Sequence, residues 1–479
     1  MSRNKLSRRL LMLSAALTLA MSQTAFAGET VELNLQEAME RAFNTNPAIS
    51  IAGYNVKSAK ATLDAARSSH FITIKAQHQT NRGGADDERV QQVFNPANGE
   101  FVAVPIGKQI GNQHTNSVTA SMPIYTGGEI RGTVRRAKAN YNSVLEGKQK
   151  AYNDMRATVT NGYCDLLQAG NMQQLGRESV QRLEDHLKNV QAQYEVGVVA
   201  KVDVLRSQVE LSNAKQSLIQ AENAYQVAEA NLNRIVGLPM DTTLKLDNIL
   251  TYSEYAEDMA YCLDYASQYR PELEQARQGV EAAKGALMVA RSGYMPKIAA
   301  SATQNWSDTN WPGDENGEWG VGVSVSMNVF DSGVTWSKIN GAKADLAVAE
   351  ETYRDTVDAV NLDVRNCYLN LREAEKRIGT TETAVSQAEE DYRIAQVRYM
   401  AGVGTNTDVL DAQVALTQAK TNYLQAMYDY NTSKTDLENA MGVPMMFPTK
   451  VTVEPQKEAL AKAEAEVNNT AEAEEQAAE

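Results

Sequence analysis

The sequence predicts an α+β protein, mostly long α-helices, built from two tandem strand-helix repeats. Two observations carry this. The phrase YEVGVVAKVDVL, Tyr194 to Leu205, returns as YMAGVGTNTDVL, Tyr399 to Leu410, 205 residues later. At that fixed offset Tyr194 to Met240 and Tyr399 to Met445 share 18 identities in 47 positions without a gap, ending in Gly237-Leu238-Pro239 and Gly442-Val443-Pro444. Within each copy the hydrophobic pattern switches from period two to the 3,4 rhythm of packed helices, so each unit combines strands with helices.

Taken in chain order, the first feature is a leader. Arg3, Lys5, Arg8 and Arg9 precede the apolar run Leu10 to Met21, and Ala25-Phe26-Ala27 offers small residues at a cleavage site. Residues 1–27 read as a secretory signal; an amino-terminal anchor helix has the same order of charge but needs a longer apolar run. The first repeat spans 28–247 and the second 248–450. Residues 451–479 are acidic, with few apolar anchors, and read as a disordered tail.

Four strands are expected. Val321, Val323, Val325, Met327 and Val329 alternate with Gly320, Gly322, Ser324, Ser326 and Asn328, and Val118, Ala120, Met122 and Ile124 repeat the pattern. Partner strands are placed at Phe71 to Gln79 and Ile298 to Trp306, giving two hairpins. Asn46-Pro47 and Arg270-Pro271 correspond at an offset of 224, so the first copy holds 19 extra residues, assigned to a surface loop over Asn81 to Gln113.

The helices follow. Leu211, Ala214, Leu218, Ala221, Tyr225, Ala228, Leu232 and Ile235 form a heptad seam, answered by Leu416, Ala419, Tyr423, Ala426, Tyr430, Ser433, Leu437 and Ala440. Val180, Leu183, Leu187, Val190 and Tyr194 match Val385, Ala388, Tyr392, Ala395 and Tyr399 in the same rhythm upstream. Each quoted phrase therefore joins two heptad helices by a turn, with Gly197 or Gly402 supplying the permissive backbone. The seams mix Leu with Ala, Tyr and Ser, and such helices suit a wall wet on both sides; one long coiled coil fits the same pattern.

Composition excludes several function classes. Removing the leader takes away four positive charges and no acidic ones, moving the formal charge from −14 to −18, which argues against a nucleic-acid partner. Cys164, Cys262 and Cys367 are an odd count for an oxidising compartment and outline no disulfide framework. His70, His78, His114 and His186 show no metal-ligand spacing, and neither a nucleophile elbow nor a phosphate loop is present, so no enzyme, metal or cofactor is expected. No apolar run after the leader is long enough for a spanning helix.

Four strands cannot close a membrane barrel, because open edges in lipid leave backbone groups unpaired. Copies of the chain would have to complete one, eight strands from two or twelve from three. Trp306, Trp311, Trp319 and Trp336 cluster around the second hairpin and Tyr125 and Phe330 end the return strands, as aromatic girdles do at membrane interfaces; a sandwich hairpin also carries tryptophans.

The opening LNLQEAMERAFNTNP (Leu33 to Pro47), the stretches PIYTGG (Pro123 to Gly128) and NVFDSG (Asn328 to Gly333), the two turn phrases and the two G-x-P endings together resemble the outer-membrane efflux protein family of the TolC type. The resemblance covers about 33 to 445. It implies a homotrimer whose twelve-stranded outer-membrane β-barrel continues as a twelve-helix periplasmic α-barrel. It implies an exit duct for an efflux or type I secretion system, with an inner-membrane pump and a periplasmic adaptor as partners. The tip turns, Gly197, Val198, Val199, Gly402, Val403 and Gly404, would meet the adaptor, and Tyr125, Trp306, Trp319, Phe330 and Trp336 the lipid interface. Asp408 and Asp411 would form carboxylate rings at the constriction, with Tyr399 and Asp203 among the closing contacts. The family's arginine two residues after the turn glycine is here Gly404. A helix start also favours Asp408, and Tyr399 also continues a seam. A periplasmic coiled-coil adaptor is the alternative reading; one helical hairpin between compact β domains would distinguish it from two complete strand-helix units.

Overall fold

A computed structural model describes residues 30–84, 90–105 and 110–443. The expected leader, the acidic tail and Pro444 of the second G-x-P ending lie outside the described residues. The first repeat runs β1 (Thr30–Leu33), α1 (Leu35–Thr45), α2 (Pro47–Ser68), β2 (Thr73–Gly84), β3 (Val90–Asn95), β4 (Glu100–Pro105), β5 (Ile110–Tyr125), α3 (Glu129–Glu195) and α4 (Lys201–Val236). After β6 (Thr243–Leu246) the second runs α5 (Met259–Tyr269), α6 (Pro271–Arg291), β7 (Lys297–Asp308), β8 (Glu318–Ser326), α7 (Val334–Met400) and α8 (Asn406–Ala440).

Local chemistry sets the helix boundaries. Asn34 and Glu37 form a capping box before α1, and Asn46 caps α2, which starts on a proline at its first turn. The two longest helices, α3 and α7, have 67 residues each, about 100 Å at 1.5 Å per residue. Each starts on a left-handed glycine, Gly128 or Gly333, where the chain leaves the sheet.

The main sheet is antiparallel in the order β2-β5-β7-β8. The expected hairpins are present, and β5 pairs with β7, which fuses the two repeats into one sheet with β2 and β8 as its edges. Two expectations need correction. The alternation over Val321 to Val329 stops being strand after Ser326, because Met327 to Phe330 have no partner opposite them once β7 begins at Lys297. The stretch Asn81 to Gln113 is not simply a loop: β2 continues to Gly84, β5 begins at Ile110, and β3 and β4 form a hairpin of their own with Phe94 opposite Phe101. Its Gly, Asn and Gln content hid the alternation.

The start and end of the first repeat are tied near mid-length by a parallel pair, β1 with β6. Tyr163, fully buried on α3, locks it: its hydroxyl donates to the Leu33 carbonyl at 3.1 Å and accepts from the Asp247 amide at 2.9 Å. Tyr163→Phe would leave that amide unsatisfied. The expected cost is about 1–3 kcal/mol, read as a lowered midpoint in thermal unfolding.

Below the sheet, α3 crosses α6 at two glycines. A Cβ on Gly132 would lie 2.7 Å from the Gly285 carbonyl oxygen, and one on Gly285 would lie 2.8 Å from the Gly132 oxygen. Further down, the helical hairpins α3/α4 and α7/α8 pack side by side through α3 and α8. The wall order is therefore α4-α3-α8-α7, and its outer members are α4 and α7.

Candidate functional site

The sheet has two chemically distinct faces. Cross-strand partners share a face, so the registers place Ile74, Ala120, Ala302 and Val321 in one row, with Met122, Ala300 and Val323 beside it. The opposite face carries Lys75, Thr119, Thr303 and Gly320, then Thr73, Ser121, Ser301 and Gly322. The apolar face lies open: Ile74 is 68% exposed, Val321 75% and Val325 67%. One side thus suits lipid and the other water.

Aromatic residues mark both ends of the apolar band. At the loop end Trp319 is exposed and Trp306 half-buried, and Trp311 packs edge-on against His78 and His114, with ring centroids 4.9 and 5.7 Å apart. At the helix end stand Tyr125, Phe330 and Trp336, all exposed; Trp336 belongs to the first turn of α7 rather than to the hairpin. From Asn116, opposite Trp306, to Tyr125 the strand runs about 30 Å at about 3.4 Å per residue. Tilted by about 40°, that is about 23 Å, close to the apolar band of an outer-membrane barrel.

At the far end lie the two turns, and their backbones are alike. Gly197 (φ 80°) and Gly402 (φ 75°) are both left-handed. The Val198 amide donates to the Gln193 carbonyl at 2.9 Å and the Val403 amide to the Arg398 carbonyl at 3.0 Å, closing each helix in the same way. Val198 and Val403 project into solvent, whereas Val199 is half-buried against a cluster that includes Val190, Tyr399 and Val409. Gly404 is closely packed: a Cβ there would sit 3.0 Å from the Tyr399 nitrogen, so a side chain at this position requires the turn to give by a few tenths of an ångström.

Asp408 and Asp411 occupy consecutive positions of one exposed face at the start of α8. Asp408 also closes a capping box, accepting from the Thr405 amide at 3.0 Å while the Thr405 hydroxyl accepts from the Asp408 amide at 3.1 Å. These bonds hold the Asp408 carboxyl below its ordinary pKa, so it remains ionised into mildly acidic solution. Tyr399 is buried and its hydroxyl has no hydrogen-bond partner among the described residues; burial first, then the charge of Asp203, pushes its phenol above the ordinary value. Asp203 stands in the first turn of α4, where its backbone carbonyl accepts from the Asn406 side chain at 3.1 Å.

That last bond belongs to a buried junction the sequence reading missed. His186 Nε2 lies 2.7 Å from Asn406 Oδ1, and the Ser207 hydroxyl reaches the same oxygen at 3.3 Å. A signal existed: His186 follows Leu183 by three residues and precedes Val190 by four, so it lies on the apolar side of α3.

Comparison with known proteins follows the same two copies. The sequence profile described as outer membrane efflux protein matches residues 38–238 and 262–443. The chain belongs to the outer membrane efflux protein family. It is 24% identical over 307 residues to outer membrane protein TolC of Escherichia coli, covering 60% of this chain and 62% of that protein, so the alignment spans less than two thirds of that relative. With the probable efflux pump outer membrane protein TtgC of Pseudomonas putida it shares 22% over 417 residues, covering 85% and 82%. Among solved structures, the CmeC outer membrane channel of Campylobacter jejuni superposes with a TM-score of 0.73 at 16% identity, covering 85% of each chain. The MtrE channel of Neisseria gonorrhoeae, solved in its open state, gives 0.71 at 19%, covering 85% and 88%. Outer membrane efflux proteins are channels rather than enzymes, located in the outer membrane and reaching into the periplasm. Among the described residues no helix is long and apolar enough to cross a membrane.

Proposed function

We propose that three copies of the chain close a twelve-stranded barrel continuous with a twelve-helix tunnel, forming the exit duct of a tripartite efflux or type I secretion system. The observation that carries this is the open sheet itself. It presents an apolar face to solvent, a polar face opposite, and unpaired backbone along β2 and β8. In a monomer the apolar face and the open edges are both unfavourable in water; a ring of copies in lipid resolves both and keeps the polar face wet. The helical wall has matching edges. On α4, Val202, Leu205, Val209, Ile219 and Val227 form a second, exposed apolar stripe, and on α7 Val348, Leu362 and Leu369 recur in heptads on an exposed face. Joining α4 of one copy to α7 of the next buries both while β2 meets β8.

In this assembly Tyr125, Trp306, Trp319, Phe330 and Trp336 lie at the membrane interfaces, and Gly197, Val198, Gly402 and Val403 form six small-residue apices for a periplasmic adaptor coupled to an inner-membrane pump. Asp408 and Asp411 form two carboxylate rings. At about 7 Å between mates, each pair repels by roughly 2 kcal/mol at an effective dielectric near 20, so the ring attracts cations and closure depends on other bonds. An adaptor reading fits poorly, since a water-soluble coiled-coil protein has no use for an open apolar sheet.

Two measurements test the proposal. Native mass in detergent should equal three chains extracted from outer membranes; a monomer released without detergent refutes it. In planar bilayers, multivalent cations should block the conductance, and replacing Asp408 and Asp411 by Ala should abolish that block.

A further inference from the structure

The tip carries Gly404 at the position where the family places an arginine. It has instead a polar junction between the two helical hairpins, built from side chains almost wholly out of solvent. Ser207 is 1% exposed, Asn406 3% and His186 6%. Its bonds connect α3 and α4 of the first hairpin to the first residue of α8, just after the second turn. The neighbouring contacts follow the same seam: Arg206 donates to the Thr407 hydroxyl at 2.8 Å and Arg182 to the Gln413 side chain at 3.2 Å.

We propose that the His186–Asn406–Ser207 junction is the latch that holds the second tip turn on the first hairpin, and that it releases when His186 takes up a proton from an acidified periplasm. The proposal rests on the reading of the tip as the closed end of the duct. The chemistry follows from donor and acceptor roles. The Asn406 amide group donates to the Asp203 carbonyl, so Asn406 Oδ1 faces His186 and can only accept. Neutral His186 therefore carries its proton on Nε2 and leaves Nδ1 bare. A second proton would sit on Nδ1, which bonds no acceptor among the described residues, and would bring an uncompensated charge into the seam.

The groups facing the ring do not offset that charge. Arg182 and Asp185 flank it on α3 and Asp203 and Arg206 on α4, as opposite signs. Tyr399, its ring centroid 5.5 Å away, and Tyr392 face it from α7, and Arg398 lies at the end of that helix. Asp408 on α8 is engaged by Thr405. Burial accordingly holds the His186 pKa below its ordinary value, with the Asn406 hydrogen bond opposing more weakly. Freed into solvent, the ring titrates near its unperturbed value of about 6.5. The latched state binds fewer protons than the released one. Its stability is complete above that value and falls about tenfold in equilibrium constant per pH unit below it, until the depressed latched value is reached.

The test is the open probability of the reconstituted trimer in planar bilayers at pH 7.5 and pH 5.5. The unmodified protein should open roughly tenfold more often at the lower pH. His186→Gln keeps an amide donor for Asn406 and cannot titrate, so its profile should be flat; Asn406→Ala should be open at both values. Cysteines replacing Arg206 and Thr407, which touch across α4 and α8, should hold the channel shut at pH 5.5 when oxidised and release it on reduction. A pH response that persists in His186→Gln, or opening of the oxidised pair, overturns the latch while leaving the duct intact. An unmodified channel that conducts without responding to pH does the same. A protein that conducts at no pH fails at the earlier step, the duct itself.

Discussion

Val323→Lys is expected to abolish outer-membrane assembly, whereas Ser324→Lys, one residue along the same strand, is expected to leave it intact and alter ion selectivity. Val323 lies in the apolar row with Ala300 and Met122, while Ser324 pairs with Ala299 on the polar face. A lysine on the lipid side near mid-bilayer costs about 2–4 kcal/mol, a factor of roughly 30 to 1,000 in each copy of the chain. On the polar side the same ammonium meets water, at almost no cost. Outer-membrane fractions probed for trimer on unheated gels would read the first effect, and reversal potentials in a salt gradient the second. Equal behaviour of the two variants would mean that the faces have been assigned wrongly.

A similarly large loss is expected at the helix crossing below the sheet. Gly285→Leu places a side chain where a Cβ alone would already lie 2.8 Å from the Gly132 carbonyl oxygen and from the Arg136 amide nitrogen. These are backbone atoms, which cannot rotate aside, so α3 and α6 must separate along their contact. Glycine is intrinsically poor in a helix, and Gly285→Ala would gain about 1 kcal/mol from propensity alone. Even so, the alanine variant should be less stable than the parent and the leucine variant should fail to assemble, with overpacking costing about 1–3 kcal/mol or more. Thermal dissociation of the proposed trimer measures both. An alanine variant more stable than the parent would show that the close approach is not energetically important.

How much could be read in advance depended on the range of the interaction. The turns at Gly197 and Gly402 were legible because a left-handed residue after a heptad helix is a local requirement, written twice. The place of Asp408 in the first turn of a helix was legible for the same reason, whereas its capping box with Thr405 was not read. The Asn81 to Gln113 stretch was not, since Val90 to Asn95 and Glu100 to Pro105 contain too many polar residues to alternate cleanly, and their pairing shows only once each strand has the other opposite. His186 was visible only as one of four histidines until α8 placed Asn406 against it from 220 residues away.

The order of letters alone determined the doubling, the kind of each long element and the family, because strand and helix periods and a 205-residue repeat are properties of neighbours along the chain. Only the folded arrangement decided that β5 joins β7, that Gly132 meets Gly285, which side of the sheet is apolar as a surface, and that Asn406 meets His186. Those contacts bring together residues far apart in the chain, and their energies depend on a geometry that no local pattern encodes.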